Sequence, residues 1–155
     1  MCGIAGFIQK KKEKLPSVAR QEMDDMLAAI RHRGPDDTGV CGISPEHTLI
    51  PAERAVGLPE GLRGIFGFDR LSIQDVSMAG HQPMLSPDQK TVLTFNGEIY
   101  NVNELREQLK QNGIREFRGH SDTEVILHLY LLYGFETMIG MLNGMFDISL
   151  YEARK

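Results

Sequence analysis

The chain has 155 residues, 41% of them apolar and 25% charged, and a formal net charge of −4. This is the ordinary balance of one globular domain, and it excludes disordered, collagen-like and fibrous chains. The acidic balance argues against a nucleic-acid-binding face, which is normally basic.

In chain order, Gly3-Ile4-Ala5-Gly6-Phe7-Ile8 is short, apolar and punctuated by glycine, which predicts a buried strand with close backbone neighbours. Lys10, Lys11, Lys12 and Lys14 are interrupted by Glu13 and read as a solvated loop. Met23, Met26, Leu27 and Ile30 fall at helical spacing and predict a helix that ends near Arg31, before Gly34-Pro35. Ser44 to Gly64 holds Pro45, Pro51, Pro59, Gly57 and Gly61 and reads as a long surface excursion. Ile65 to Ile73 and Thr91 to Phe95 read as strands, and Asn96-Gly97 is a turn signal. Asn101 with Glu104 predicts a capping box, opening a helix that carries Leu105 and Leu109 and closes at Gly113. Ser121 with Glu124 predicts a second box; its helix carries Val125, Ile126, Leu129, Leu132 and Tyr133 and stops at Gly134. A short helix from Phe135 to Leu142 and an alternating strand from Met145 to Tyr151 follow. The mixture predicts an α+β or layered-sheet fold over a Rossmann-like one.

Two cysteines, Cys2 and Cys41, make no disulfide framework. No apolar run nears the roughly 20 residues that span a bilayer. The N-terminus lacks the basic start of a signal peptide. The expected location is therefore the cytoplasm, with reduced thiols and with no membrane or nucleic-acid partner.

Cys2 carries the most chemistry. Initiator methionine is usually removed before a small second residue, leaving a thiol beside a free α-amine. Such an amine titrates at about 7.7–8.0, so one residue can supply nucleophile and base. Retention of Met1 would remove that base, and position alone favours a small buried hydrophobe. A strand-end Asn96 side chain with the N–H of Gly97 is a sound oxyanion pair, although a plain Asn-Gly turn is the commoner meaning. Arg70, flanked by apolar strand residues, needs a structural or ligand carboxylate. Asp122 is ordinary helix-start chemistry but could also bind an ammonium group. Arginine for a carboxylate and aspartate for an ammonium suit an α-amino acid. Cys41 and His47 lack a second close pair and no Cys-x-x-Cys occurs, so no metal is expected; no Gly-x-x-x-x-Gly-Lys run marks a phosphate loop.

Seven ordered segments together resemble one family. They are Met1-Cys2-Gly3-Ile4-Ala5-Gly6, Arg31-His32-Arg33-Gly34-Pro35-Asp36, Arg70-Leu71-Ser72-Ile73, Gly80-His81-Gln82-Pro83-Met84, Phe95-Asn96-Gly97-Glu98-Ile99-Tyr100-Asn101, Ser121-Asp122-Thr123-Glu124-Val125 and Leu142-Asn143-Gly144-Met145-Phe146. They resemble the glutaminase domain of glutamine-hydrolysing asparagine synthetases, a class II glutamine amidotransferase of the N-terminal nucleophile hydrolases. The resemblance implies an αββα sandwich of two antiparallel sheets, with L-glutamine as substrate. It implies Cys2 as nucleophile with its α-amine as base, and Asn96 with Gly97 as oxyanion hole. Arg70 would hold the α-carboxylate and Asp122, with Glu98 nearby, the α-ammonium. Backbone groups near Leu71 and Ile73 would help. Residues 1–155 would be a glutaminase domain incomplete at its C-terminus and lacking its last strands, with the synthetase domain absent. That synthetase domain or subunit is the implied partner, and a homodimer is also allowed. No cofactor is expected in this domain; ATP and Mg²⁺ would belong to the synthetase half.

Asp69 departs from the family pattern and would compete for Arg70, unless strand alternation points the two side chains apart. Two other readings stay open: a non-catalytic glutamine-binding or docking module of the same fold, and a glutaminase serving a different ammonia acceptor.

Overall fold

A computed structural model describes residues 1–9, 13–73 and 75–153. The first sheet contains β1 (Gly3–Ile8), β2 (Asp37–Ile43), β3 (Leu49–Ala52) and β4 (Gly64–Arg70), ordered β1-β4-β2-β3 and antiparallel throughout. The second contains β5 (Met84–Leu85), β6 (Thr91–Ile99) and β7 (Gly144–Glu152), ordered β5-β6-β7 and also antiparallel. The helices are α1 (Ala19–Ile30), α2 (Val102–Gln111), α3 (Asp122–Tyr133) and α4 (Phe135–Met141).

Strand alternation explains the layering. Along β4, Ile65 joins Met23 and Leu27 of α1 in one buried cluster. Its neighbour Phe66 joins Cys41, Ile43, Leu49 and Val92 in another, between the sheets. A third cluster packs Leu93, Phe95 and Ile99 of β6 under Leu105, Leu109, Val125, Ile126, Leu129 and Met138 of the remaining helices. Each such fully buried aliphatic side chain contributes about 1.5–3 kcal/mol. The result is the expected αββα sandwich. Gly67 sits under α1, where a Cβ would lie 2.7 Å from the Met23 sulfur, so its bareness sets how closely that helix approaches.

The register carries the site. Gly3 pairs with Asp69, so Cys2 falls opposite the end of β4 at Arg70 and Leu71. On the second sheet Asn96 pairs with Asp147.

Several local expectations need correction. Residues 44–64 are not a surface excursion: β3 closes a hairpin with β2, and Leu49, Ala55, Leu58 and Leu62 are buried. Their prolines and glycines mark the ends of short elements. Strand β4 stops at Arg70, short of Ile73. Asn96-Gly97 does not turn; β6 runs through it because β7 pairs along its whole length. Asn101 does not cap α2: its side chain instead accepts from Asn143 N and donates to the Met141 carbonyl, joining the start of α2 to the end of α4. Ser121 does cap α3, accepting from Glu124 N at 3.3 Å. The Glu124 carboxylate reaches Arg118 N and Gly119 N instead of closing the box on Ser121. Of the lysine cluster, Lys10, Lys11 and Lys12 lie outside the described residues.

Gly34 fixes where β4 ends. A Cβ there would overlap the Asp69 carbonyl and lie 2.6 Å from Arg70 N. Gly34→Ala must push β4 aside and should cost about 1–3 kcal/mol, the usual range for overpacking. A urea unfolding midpoint equal to wild type would contradict this.

Candidate active site

Cys2 precedes the first strand and is pinned from three directions. Its backbone N donates to Asn96 Oδ1 at 2.8 Å. Its carbonyl accepts from Arg33 Nε at 3.0 Å. Its sulfur receives the Leu71 N–H at 3.3 Å. The sulfur is therefore held by backbone from the far end of β4, while the nitrogen is held by a side chain of the opposite sheet.

Asn96 is buried, and its second amide atom Nδ2 faces Asp147 Oδ2 at 3.5 Å. With Oδ1 toward Cys2 N, the side chain has one Nδ2 proton beyond that contact. Gly97 follows with φ +153°, and a Cβ there would overlap the Met145 carbonyl, so only glycine fits.

Arg70 is buried and donates to the carbonyls of Ser77 (2.9 Å) and Asp75. Asp69 does not compete. It points to the other face, accepting from Thr38 Oγ1 at 2.6 Å and pairing with Arg31 at 3.4 Å.

Asp122 occupies the first position of α3 and is 6% exposed. Burial pushes its carboxyl above the usual carboxylate range. Hydrogen bonds from the N–H groups of Thr123 and Ile99 oppose this, and the charge of Glu98 adds to it. Asp122 is thus a carboxylate short of a cation.

One cavity of about 410 Å³ is lined by Cys2, Arg70, Leu71, Ile73, Asn96, Gly97, Glu98 and Asp122, so every predicted site residue reaches it. The volume suits a small ligand. Met1 also lines it and is 73% exposed. The wall also contains residues to which the sequence analysis gave no role, among them Asp75, Gly80, Gln82 and Asp147. Gln82 pairs its side-chain amide with the backbone of Phe95, through Oε1 at 2.6 Å and Nε2 at 3.2 Å, and also donates to Thr123 Oγ1. Its signal is the Gly80-His81-Gln82-Pro83-Met84 segment, which carries the resemblance without giving Gln82 a role. Asp147 was legible as a polar residue opposite Asn96 once the register was known. Among the described residues no group of three or more His, Cys, Asp or Glu is arranged to hold a metal ion.

A family model described as "Glutamine amidotransferase domain" matches residues 57–155, nearly two thirds of the chain. The chain belongs to the glutamine amidotransferase domain family. This amidotransferase domain is 34% identical, over its whole length, to asparagine synthetase [glutamine-hydrolyzing] 3 of Bacillus subtilis, covering 22% of that protein. It is 36% identical over 99% of its length to asparagine synthetase [glutamine-hydrolyzing] of Zea mays, again covering 22%. A putative asparagine synthetase of Methanocaldococcus jannaschii is 35% identical over the whole chain, which covers 28% of it. The chain thus spans about a quarter of the length of these relatives. Among solved structures, a B. subtilis glutamine phosphoribosylpyrophosphate amidotransferase superposes with a TM-score of 0.75 at 20% identity, over 99% of this chain and 35% of the other. That likeness establishes the fold: two antiparallel sheets with flanking helices.

The electrostatics of Asp122 in this amidotransferase domain give a stability prediction. A carboxyl whose folded-state pKa is raised stabilises the fold most below its unfolded pKa, and that contribution is lost as pH rises through the folded value. Asp122→Asn should therefore unfold at higher urea than wild type at pH 7, with the difference shrinking toward pH 4. A variant less stable than wild type at pH 7 would contradict the account.

Proposed function

We propose that this domain hydrolyses L-glutamine to L-glutamate and ammonia through a thioester on Cys2. The observation that carries the reading is that Cys2, pinned at both its nitrogen and its sulfur, shares one cavity with Arg70 and Asp122. Those two residues are of opposite charge and lie on different elements, the complement of an α-amino acid. Family membership supplies the amide.

The chemistry needs Met1 removed, and its exposure leaves it open to an aminopeptidase. The freed α-amine of Cys2 takes the thiol proton. The sulfur attacks the side-chain amide carbon, and the carbonyl π pair moves onto oxygen. The free Nδ2 proton of Asn96 and the Gly97 N–H stabilise that oxyanion. Collapse breaks the C–N bond, and the leaving nitrogen takes the proton from the α-ammonium and departs as ammonia. Water, deprotonated by the same amine, then cleaves the thioester to glutamate and restores the thiol. Arg70 holds the α-carboxylate. Asp122, with Glu98, holds the α-ammonium, and backbone near Leu71 and Ile73 borders the substrate.

The printed names of the relatives support ATP-dependent asparagine synthesis as the consumer of the ammonia, carried out by a synthetase domain or subunit that binds ATP and Mg²⁺. Residues 1–155 are then the glutaminase portion, which needs no cofactor of its own. A cytoplasmic location is part of this proposal; among the described residues no helix is long and apolar enough to cross a membrane. A binding module is the second reading, favoured by Met1 at the mouth of the cavity. It predicts glutamine binding without turnover.

With L-glutamine, Cys2→Ala should abolish ammonia release. Asn96→Ala should lower kcat by about 10²–10³, the usual effect of losing one oxyanion donor. Full activity in Cys2→Ala would refute the thioester mechanism.

A further inference from the structure

Asp75 has no part in the mechanism above, yet it is one of the most heavily bonded side chains in the cavity wall. It is 8% exposed. Its Oδ1 accepts from Ser77 N at 2.9 Å and Ser77 Oγ at 2.6 Å. Its Oδ2 accepts from His120 N at 2.7 Å. Its own carbonyl takes one Arg70 donor, and the carbonyl of Ser77 takes another.

This carboxylate therefore joins two segments that are 45 residues apart in sequence. One is the loop after β4, whose carbonyls aim Arg70. The other is the segment before α3, which leads through Ser121 to Asp122. Two glycines leave room for the joint. A Cβ at Gly80 would collide with the Arg70 guanidinium, and one at Gly119 would collide with Asp75 Oδ2. Hydrogen-bonded ionised groups hold geometry better than neutral ones. Several such bonds from Ser77 and His120 keep the Asp75 carboxyl far down, at about 2, so the joint is intact throughout the neutral range.

We propose that Asp75 is a positioning residue for substrate binding: it ties the Arg70 loop to the start of α3 and so sets the spacing between the carboxylate and ammonium subsites. The proposal rests on the glutaminase reading. It acts on ground-state binding, because Arg70 and Asp122 grip the amino acid end and not the reacting amide.

The test compares L-glutamine with 4-aminobutanamide, which keeps the amine and the amide but lacks the α-carboxylate. In Asp75→Asn the side-chain oxygen can keep Ser77, while the new amide sets N–H against the His120 N–H and opens the joint. KM for L-glutamine should rise about tenfold, equivalent to about 1.4 kcal/mol, with kcat changed by less than about threefold. For 4-aminobutanamide, kcat/KM should not change. Gly119→Ala, which displaces the same carboxylate from the other side, should give the same selective loss and serves if Asp75→Asn fails to fold. Equal losses for both substrates would mean a general structural role and overturn the proposal. An unchanged KM for L-glutamine in a variant whose His120 amide exchanges faster would also overturn it. Those outcomes leave the glutaminase reading intact, provided wild type turns over glutamine. No turnover in Met1-processed wild type would overturn both.

Discussion

The site depends on one hydrogen bond between the two sheets, from Cys2 N to Asn96 Oδ1 at 2.8 Å. Cys2 has no strand of its own to hold it. It hangs off the start of β1, where termini usually fray, and this bond joins those from Arg33 and Leu71 in holding it, the one of the three that comes from the second sheet. The bond also chooses the orientation of the Asn96 amide. With Oδ1 turned to Cys2 N, the Nδ2 protons face away from it. One atom pair thus helps to place Cys2 and sets the direction of the Asn96 amide protons, the geometry on which the proposed chemistry rests. Gly97 completes the arrangement by letting β7 pass where a Cβ would overlap the Met145 carbonyl.

The charged groups around this bond are unequally satisfied. Arg70 rests on backbone carbonyls, which orient it without neutralising it. Asp122 is buried with backbone N–H donors and no cation against it among the described contacts. Asp69, next to Arg70 in sequence, is kept from the site by strand alternation and serves Thr38 and Arg31. A ligand bearing both an α-carboxylate and an α-ammonium would relieve both ends at once. Such sites trade some stability of the empty fold for affinity.

The elements with strong periodicity were legible in the sequence. Strand β1, the stop of α1 near Arg31 and the Ser121 cap of α3 all follow from local pattern. The eight candidate site residues are legible in the sequence, five from their own chemistry (Cys2, Arg70, Asn96, Gly97 and Asp122) and Leu71, Glu98 and Ile73 by resemblance, and one cavity collects all of them. What local pattern could not supply was set by pairing. Asn96-Gly97 has the composition of a turn, but β7 holds it in a ladder. Asn101 has the spacing of a cap, but Asn143 competes for its side chain. Leu58 and Leu62 lie among prolines and glycines yet are buried beside Ala55 and Ile65 in the first-sheet core. Asp75 and Gln82 matter through partners 45 and 13 residues away, a relation that no local motif encodes.

The central claim is that Cys2 becomes an N-terminal nucleophile inside an assembled glutamine site. The most direct test is the intact mass of the protein after incubation with a glutamine-mimicking diazo-ketone that alkylates N-terminal cysteine nucleophiles. The account predicts a mass lacking Met1 and carrying one adduct, with no adduct in Cys2→Ala. A mass with Met1 retained and no adduct would contradict it and leave a glutamine-binding module in its place.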